Sequence, residues 1–285
     1  MNEKIKIIDC PRDAMQGIHD FIATDDKIDH LNKLLKVGFD TIDCGSFVSP
    51  KIIPQMADTS EVLNAVKDLD HSSKLSVIVA SEGGAERALK HNNVNYLGFP
   101  FSISEQFQQD NTHKSREEAF KSISNIQKML ESSRKELLVY FSMAFGNPYN
   151  EDWNVELVKE WSERFADLGI RRINLSDTTS VAKPEDVEEL FQNLIAKYPE
   201  IEFGAHFHSE YNDWFPKVDA AFRNGCRRFD GAIKGFGGCP MAKSDLVGNT
   251  PTEKLISYAE SVNANHGLNL LAFESAYNSA MKVMG

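Results

Sequence analysis

The chain is short of cationic charge. Its 31 lysines and arginines stand against 42 aspartates and glutamates, a formal net charge of −11 with histidine neutral. Such a surface repels phosphate polymers and anionic bilayers, which argues against a nucleic-acid or membrane partner; a small anionic substrate held by a local cationic site is still allowed. No run of about 18 apolar residues occurs, so no spanning helix is expected. The opening MNEKIKIID lacks the apolar centre of a secretory leader, and the expected compartment is the cytoplasm. Cysteine is sparse: Cys10, Cys44, Cys226 and Cys239 make no CxxC pair, which favours free thiols over disulfides in a chain of this size. Glycine-rich phosphate loops are missing too. The segment IIDCPRDAMQG after the first apolar run has none, which counts against a doubly wound nucleotide-binding sheet.

With 41% hydrophobic residues in 285, there is ample material for one large core. Eight strand-like apolar runs fall at 4–9, 39–47, 74–80, 94–101, 136–145, 171–179, 201–209 and 227–233. Their length and Val/Ile/Phe/Leu content suit buried parallel strands. Helical patterns lie between them. TDDKIDHLNKLLKVG offers Thr24 or Asp25 as N-cap and a stop at Gly38, and SREEAFKSISNIQKMLESS begins with a Ser115–Glu118 capping box. Eight strand–helix units without a linker predict an α/β fold, a (β/α)8 TIM barrel, as a single domain over 1–285 with extra C-terminal helices packed on or near it.

In such a barrel the chemistry sits at the C-terminal ends of the strands. Polar residues gather there: Arg12 and Asp13 after the first strand, Asp43 and Ser46 on the second, Asp177 and Thr178 on the sixth, and His206 and His208 on the seventh. The two histidines are two residues apart, so a strand points both rings to one face. Alone, that pattern serves equally as half of a metal site or as two hydrogen-bonded inward residues. Asp13, on the strand next to strand eight in a closed barrel, adds a carboxylate, and Asn249 in the loop after strand eight can add an amide oxygen. Carboxylate, imidazole and carbonyl-type oxygen suit Mg2+ or Mn2+, or else Zn2+. Asp13 also reads as a helix cap and Asn249 as a turn residue. Arg12 beside the metal would stabilise an oxyanion or enolate, and otherwise serves as an ion-pair partner. GFGGCPMA, 235–242, reads as an active-site lid carrying the thiol of Cys239, or as a plain turn. The other histidines, His30 among them, have no partners at ligand spacing and are expected on the surface.

CPRDAMQ (10–16), SFVSPKIIPQMAD (46–58), SDTTSVAKPED (176–186), HFH (206–208) and GFGGCPMA…GN (235–249) occur in that order. Over nearly its whole length the chain resembles the 3-hydroxy-3-methylglutaryl-CoA lyases, within the metal-dependent TIM-barrel lyases and Claisen-condensing synthases. The resemblance implies Asp13, His206, His208 and Asn249 as metal ligands, Arg12 as the group that stabilises the enolate, and Cys239 as a proton-transfer group on a mobile loop. It implies Gln16, Ser46 and Thr178 as pocket residues, and a homodimer. Four differences from the family pattern stand out. Ala14 replaces a glycine, Asp43 a glutamate, GIH (17–19) a segment containing a lysine, and Ser209–Glu210 an Asp–Thr pair. One extra residue also separates Cys239 from Asn249.

The expected activity is divalent-metal-dependent retro-Claisen cleavage of hydroxymethylglutaryl-CoA, or a related 3-hydroxyacyl-CoA, to acetyl-CoA and acetoacetate. Asp13, His206 and Asp43 all stand as candidate bases. The lysine missing near His19 motivates one alternative, an aldolase for a small keto or hydroxy acid without CoA. A metal-binding barrel that has lost catalysis is the other.

Overall fold

Each of the eight apolar runs folds as a strand in the computed structural model, which describes residues 3–210, 213–238 and 247–285. The strands are β1 (Lys6–Asp9), β2 (Thr41–Ser46), β3 (Lys74–Ile78), β4 (Val94–Ser102), β5 (Glu136–Ser142), β6 (Arg172–Asp177), β7 (Glu202–Phe207) and β8 (Arg228–Gly231). All pair in parallel with their sequence neighbours, and β8 pairs with β1 to close the barrel. This is the TIM barrel expected from the sequence.

Alternation along the strands explains why the runs are apolar on both faces. Ile7, Val77, Phe99, Val139, Leu175, Ala205 and Phe229 join the large core between barrel and helices. Ile78, Tyr96, Leu138 and Tyr140 make a separate cluster, the packed barrel interior. Aromatic packing is dense in the outer layer: Phe101 lies 4.7 Å from Trp161 and 5.0 Å from Phe165, centroid to centroid. Truncating a ring buried like Phe165 costs about 3–5 kcal/mol. At the opposite end from the polar strand tips, Lys6 pairs with Glu202, and Arg172 with Glu136 and Glu202.

The helices start largely where their sequence signals are. Ser115 and Glu118 form the capping box ahead of helix Arg116–Leu130. The first long helix, Thr24–Leu35, departs from expectation: Ala23 occupies the N-cap position with no side-chain cap. Thr24 is already helical, and its hydroxyl donates to Asp58 Oδ2 at 2.9 Å. His30, expected on the surface, is 1% exposed on the inner face of this helix. Burial and then the nearby Lys33 charge push its pKa down to about 4. The terminal helices form at Thr252–Ser261 and Leu270–Met284. The second packs on Thr24–Leu35, with Phe273 edge-on to Phe39 and Lys282 paired to Asp26. Among the described residues no helix is long and apolar enough to cross a membrane.

Candidate active site

The barrel mouth is built first by a short turn. After β1 the Cys10 amide bonds to Gly231 O, and Pro11 then opens helix Pro11–Gln16. Proline is preorganised for this first helical position, where its missing N–H costs nothing. The turn carries Arg12 and Asp13 over the strand ends, both buried. Arg12 donates Nε and Nη2 to Asp43 Oδ2, and Nη1 to Asp13 Oδ1 (2.8 Å) and Gln16 Oε1 (2.9 Å). Gln16 Nε2 completes the ring by donating to Asp13 Oδ1 at 2.9 Å. Asp43, although one methylene shorter than the family's glutamate, thus reaches Arg12 through a single oxygen, and its Oδ1 is buried without a partner. Of the five guanidinium N–H groups, four are engaged among the described residues and one on Nη2 is left.

Burial would raise the Asp13 pKa, but Arg12, the two histidines and Asn249 hold it below the usual carboxylate range. For Asp43 burial prevails over Arg12, and its pKa is raised. Burial disfavours the charged guanidinium, yet Asp43 and Asp13 together keep Arg12 firmly protonated.

The second half of the site comes from β7. His206 and His208 face the same way, their ring centroids 5.1 Å apart. His206 Nδ1 lies 3.1 Å from Asp230 Oδ2 on β8, its partner in register, and the Tyr140 ring meets it edge-on. Asn174 Nδ2 donates to the same Asp230 oxygen at 2.7 Å. With Nδ1 committed, Nε2 of His206 is left for the mouth. Burial lowers the His206 pKa, but the bond and charge of Asp230 outweigh it and the net shift is upward. Burial and then the His206 charge push His208 down to about 4. Its ring bonds to the Val247 backbone and keeps a buried Nδ1 without a partner.

Asn249 is carried in by a short stretch of chain laid along β7. Ser209 N bonds to Gly248 O, Thr250 N to Phe207 O, and His208 bridges Asn249 antiparallel. Asn249 Nδ2 donates to Asp13 Oδ2 (2.7 Å) and Phe236 O (2.9 Å). The amide nitrogen, rather than the oxygen expected from the sequence, therefore faces Asp13; a half-turn of the amide exchanges the two.

Asp13, His206 and His208 each offer a ligand atom, and these atoms lie within 4.8 Å of one another. The donor set is one carboxylate and two imidazoles, with an orphan nitrogen on His208 and an orienting carboxylate behind His206. Those residues can hold a divalent cation.

Of the remaining sequence candidates, Gln16 belongs to the Arg12–Asp13 network. Ser46 Oγ accepts from Val48 N at 3.1 Å, and Thr178 Oγ1 from Met143 N at 2.9 Å. Each hydroxyl so held still has its own proton to donate. Cys239 lies outside the described residues. The chain leading to it is tightly placed: a side chain on Gly237 (φ +89°) would meet Asp13 O at 2.6 Å, and one on Gly248 would meet Gly235 O at 2.3 Å. Gly237 thus lets the glycine-rich segment touch the turn that carries the site.

Asp230, Asn174 and Lys217 join the site without a local sequence motif to mark them. Asp230 and Arg228 flank the core residue Phe229, so strand alternation alone puts both inward. Lys217 interrupts the apolar stripe of helix Trp214–Arg223, next to Val218. Its Nζ bonds Asp177 Oδ2 (2.6 Å), Ser180 Oγ (3.0 Å) and His208 O (3.4 Å), tying the β6 end to the backbone of His208.

Acid, imidazole and guanidinium converging on the C-terminal face of a parallel barrel define a TIM-barrel enzyme with a cation-competent centre. Residues 4–279 match the HMGL-like family. Hydroxymethylglutaryl-CoA lyase YngG of Bacillus subtilis is 30% identical over 275 residues, 96% of this chain and 91% of that protein. (R)-Citramalyl-CoA lyase of Chloroflexus aurantiacus is 26% identical over 293 residues, 99% of this chain and 92% of that one. An HMG-CoA lyase structure from Acinetobacter baumannii, in complex with coenzyme A and 3-methylmalate, superposes with a TM-score of 0.90 at 29% identity, covering 99% of this chain and 92% of that one. The chain belongs to the HMGL-like family and is a carbon–carbon lyase.

Proposed function

We propose that the protein is a divalent-metal-dependent lyase that cleaves 3-hydroxy-3-methylglutaryl-CoA, or a close 3-hydroxyacyl-CoA, to acetyl-CoA and acetoacetate. It would act as a single-domain homodimer in the cytoplasm. The observation that carries this reading is the buried Arg12–Asp13–His206–His208 group at the strand ends of an HMGL-like chain.

Asp13, His206 and His208 would hold Mg2+ or Mn2+, joined by Asn249 with its amide turned. The bound cation supplies Lewis acidity that lowers the pKa of the substrate's C3 hydroxyl. Asp13 would be taken up by the cation and by the bonds of Arg12 and Gln16 to its Oδ1, whereas Asp43 keeps Oδ1 without a partner. We therefore assign the hydroxyl proton to Asp43. As that proton leaves, the C2–C3 bond breaks, the C3 oxygen becomes the ketone of acetoacetate, and the bonding pair stays on the acetyl-CoA fragment as an enolate. The remaining Nη2 proton of Arg12 meets the enolate oxygen. Cys239 or a water returns a proton to carbon. Gln16 and the free hydroxyl protons of Ser46 and Thr178 orient the substrate.

The likeness to (R)-citramalyl-CoA lyase supports a second substrate of the same class. The deciding assay pairs a panel of 3-hydroxyacyl-CoA thioesters with the free hydroxy acids, with Mg2+ or Mn2+ and with EDTA. Metal-dependent cleavage of hydroxymethylglutaryl-CoA is the expected result. Turnover of the free acids alone would overturn the CoA assignment, and undiminished turnover in EDTA would overturn the metal.

A further inference from the structure

His206 belongs to a second group of possible ligands besides the one at the mouth. Its Nδ1 lies 3.1 Å from Asp230 Oδ2, and the thiol of Cys10 is close to both residues. Ligand atoms of Cys10, His206 and Asp230 fall within 4.8 Å of one another, and all three residues are buried. Asp230 Oδ2 accepts from Asn174 and lies against His206 Nδ1, while Oδ1 is buried without a partner. Asp230, Asp43 and Asp13 place negative charge near the thiol against the single opposing charge of Arg12, a balance that favours a cation. Its donors are sulfur, imidazole nitrogen and carboxylate oxygen. That set is softer than the oxygen and nitrogen atoms at the mouth, and thiolate sulfur selects Zn2+ and similar soft ions over Mg2+ or Mn2+.

We propose that Cys10, His206 and Asp230 form an inner site for a soft divalent cation, Zn2+ or Cd2+, separate from the site at the mouth and coupled to it through the shared imidazole. Binding replaces the Cys10 S–H and His206 Nδ1–H bonds by bonds to the metal; the thiol proton leaves to solvent and the ring proton moves to Nε2, the nitrogen left for the mouth. It also takes Asp230 out of its contact with His206 Nδ1, so the ring at the mouth loses its orienting carboxylate. Soft metals therefore inhibit the protein in the presence of excess Mg2+, and they act through Cys10.

The test uses the full-length protein stripped with chelator, reloaded with excess Mg2+ and titrated with Cd2+. The readout is the ultraviolet charge-transfer band of a cadmium–thiolate bond, taken without substrate, so it stands or falls separately from the lyase reading. Wild type should show one equivalent that survives in Cys239→Ser and disappears in both Cys10→Ser and Cys10→Ala. Melting curves and far-ultraviolet circular dichroism check that each variant is folded. No band in wild type, a full band in a folded Cys10 variant, or a band lost in Cys239→Ser would each overturn the proposal.

Discussion

Replacing Arg12 separates what the guanidinium does for the fold from what it does for the reaction. Three of its four hydrogen bonds hold two buried carboxylates, Asp43 and Asp13, and the fourth goes to Gln16. Arg12→Met leaves both without their partner, and breaking a buried pair costs about 3–5 kcal/mol of stability. Losing one aligned donor to a developing oxyanion costs about 10²–10³ in kcat. Arg12→Lys keeps a cation with three donors against the four bonds Arg12 makes, so it should retain most of the stability while losing a similar share of kcat. The pH dependence gives an independent check. In wild type the Asp13 pKa is depressed, mainly by Arg12 acting against burial, so Asp13 contributes stability above its unfolded value that is lost only in acid. Without the guanidinium, burial governs Asp13 as it already does Asp43, and the folded state of the variant holds protons that the unfolded state releases. Arg12→Met should then lose stability relative to wild type as pH rises from about 5 to 8. Urea unfolding across that range, single-turnover kinetics, and Mn2+ binding by calorimetry read the three quantities separately. Full kcat in Arg12→Met, or a stability gap independent of pH, would refute the reasoning.

Three further perturbations test the supports of the site. Asp230→Asn should lower divalent-metal affinity about 10–100-fold with little change in melting temperature, because the amide can no longer fix the His206 ring as a carboxylate does; unchanged affinity in calorimetry would remove Asp230 from the metal site. Lys217→Met strands the buried Asp177, whose pKa burial already raises despite Lys217, and should cost about 3–5 kcal/mol, more at high pH than at low; a pH-independent loss in urea unfolding would count against an ionised Asp177. Asp9 is pushed up to about 7 by burial despite its bond from Thr252, so its folded state holds a proton that the unfolded state loses near 4, and stability drains away as pH rises toward 7. Asp9→Asn should remove that slope, worth of the order of 4 kcal/mol, and stabilise the protein at about pH 8.

The barrel was legible because its strands are apolar on both faces and its helices on one, and because the missing glycine-rich loop after the first strand counted against a doubly wound sheet. Arg12, Asp13, His206 and His208 were legible as strand-end residues, and the structure brings them together as adjacency of β7, β8 and β1 requires. Asp230 was harder to see. An acid within RRFDG reads equally as a strand end or a turn, and its role depends on the pairing of His206 with Asp230, which no single strand reveals. His30 was misread for a different reason: isolated polar residues are assigned to the surface by default, yet Lys27, His30, Leu31 and Leu34 lie on one helical stripe and all are buried. Lys27 keeps its charge there by bonding Asp58, and that same acid takes the Thr24 hydroxyl away from the helix end. Long-range pairing, which local pattern cannot encode, decided both points.

That pairing also sets the charge inside the barrel. Apart from the Asp177–Lys217 pair, the charged side chains buried there among the described residues are Asp13, Asp43 and Asp230 against Arg12 and Arg228. Counted formally, with carboxylates ionised and imidazoles neutral, three carboxylates against two guanidinium groups leave one negative charge in excess. Arg228 sits toward the closed end, where its Nη1 reaches Asp40 and Thr41, so the excess is felt most strongly at the mouth. An anionic substrate entering that mouth would be repelled, and a divalent cation reverses the sign from −1 to +1. Under the proposed function the site so loaded attracts the substrate carboxylate and favours the enolate oxygen beside Arg12. Under that proposal the cation requirement follows from the acids the barrel has buried as much as from the geometry of two histidines. Replacing one of those acids by its amide should weaken metal binding even where, as at Asp43, the residue is not itself a ligand.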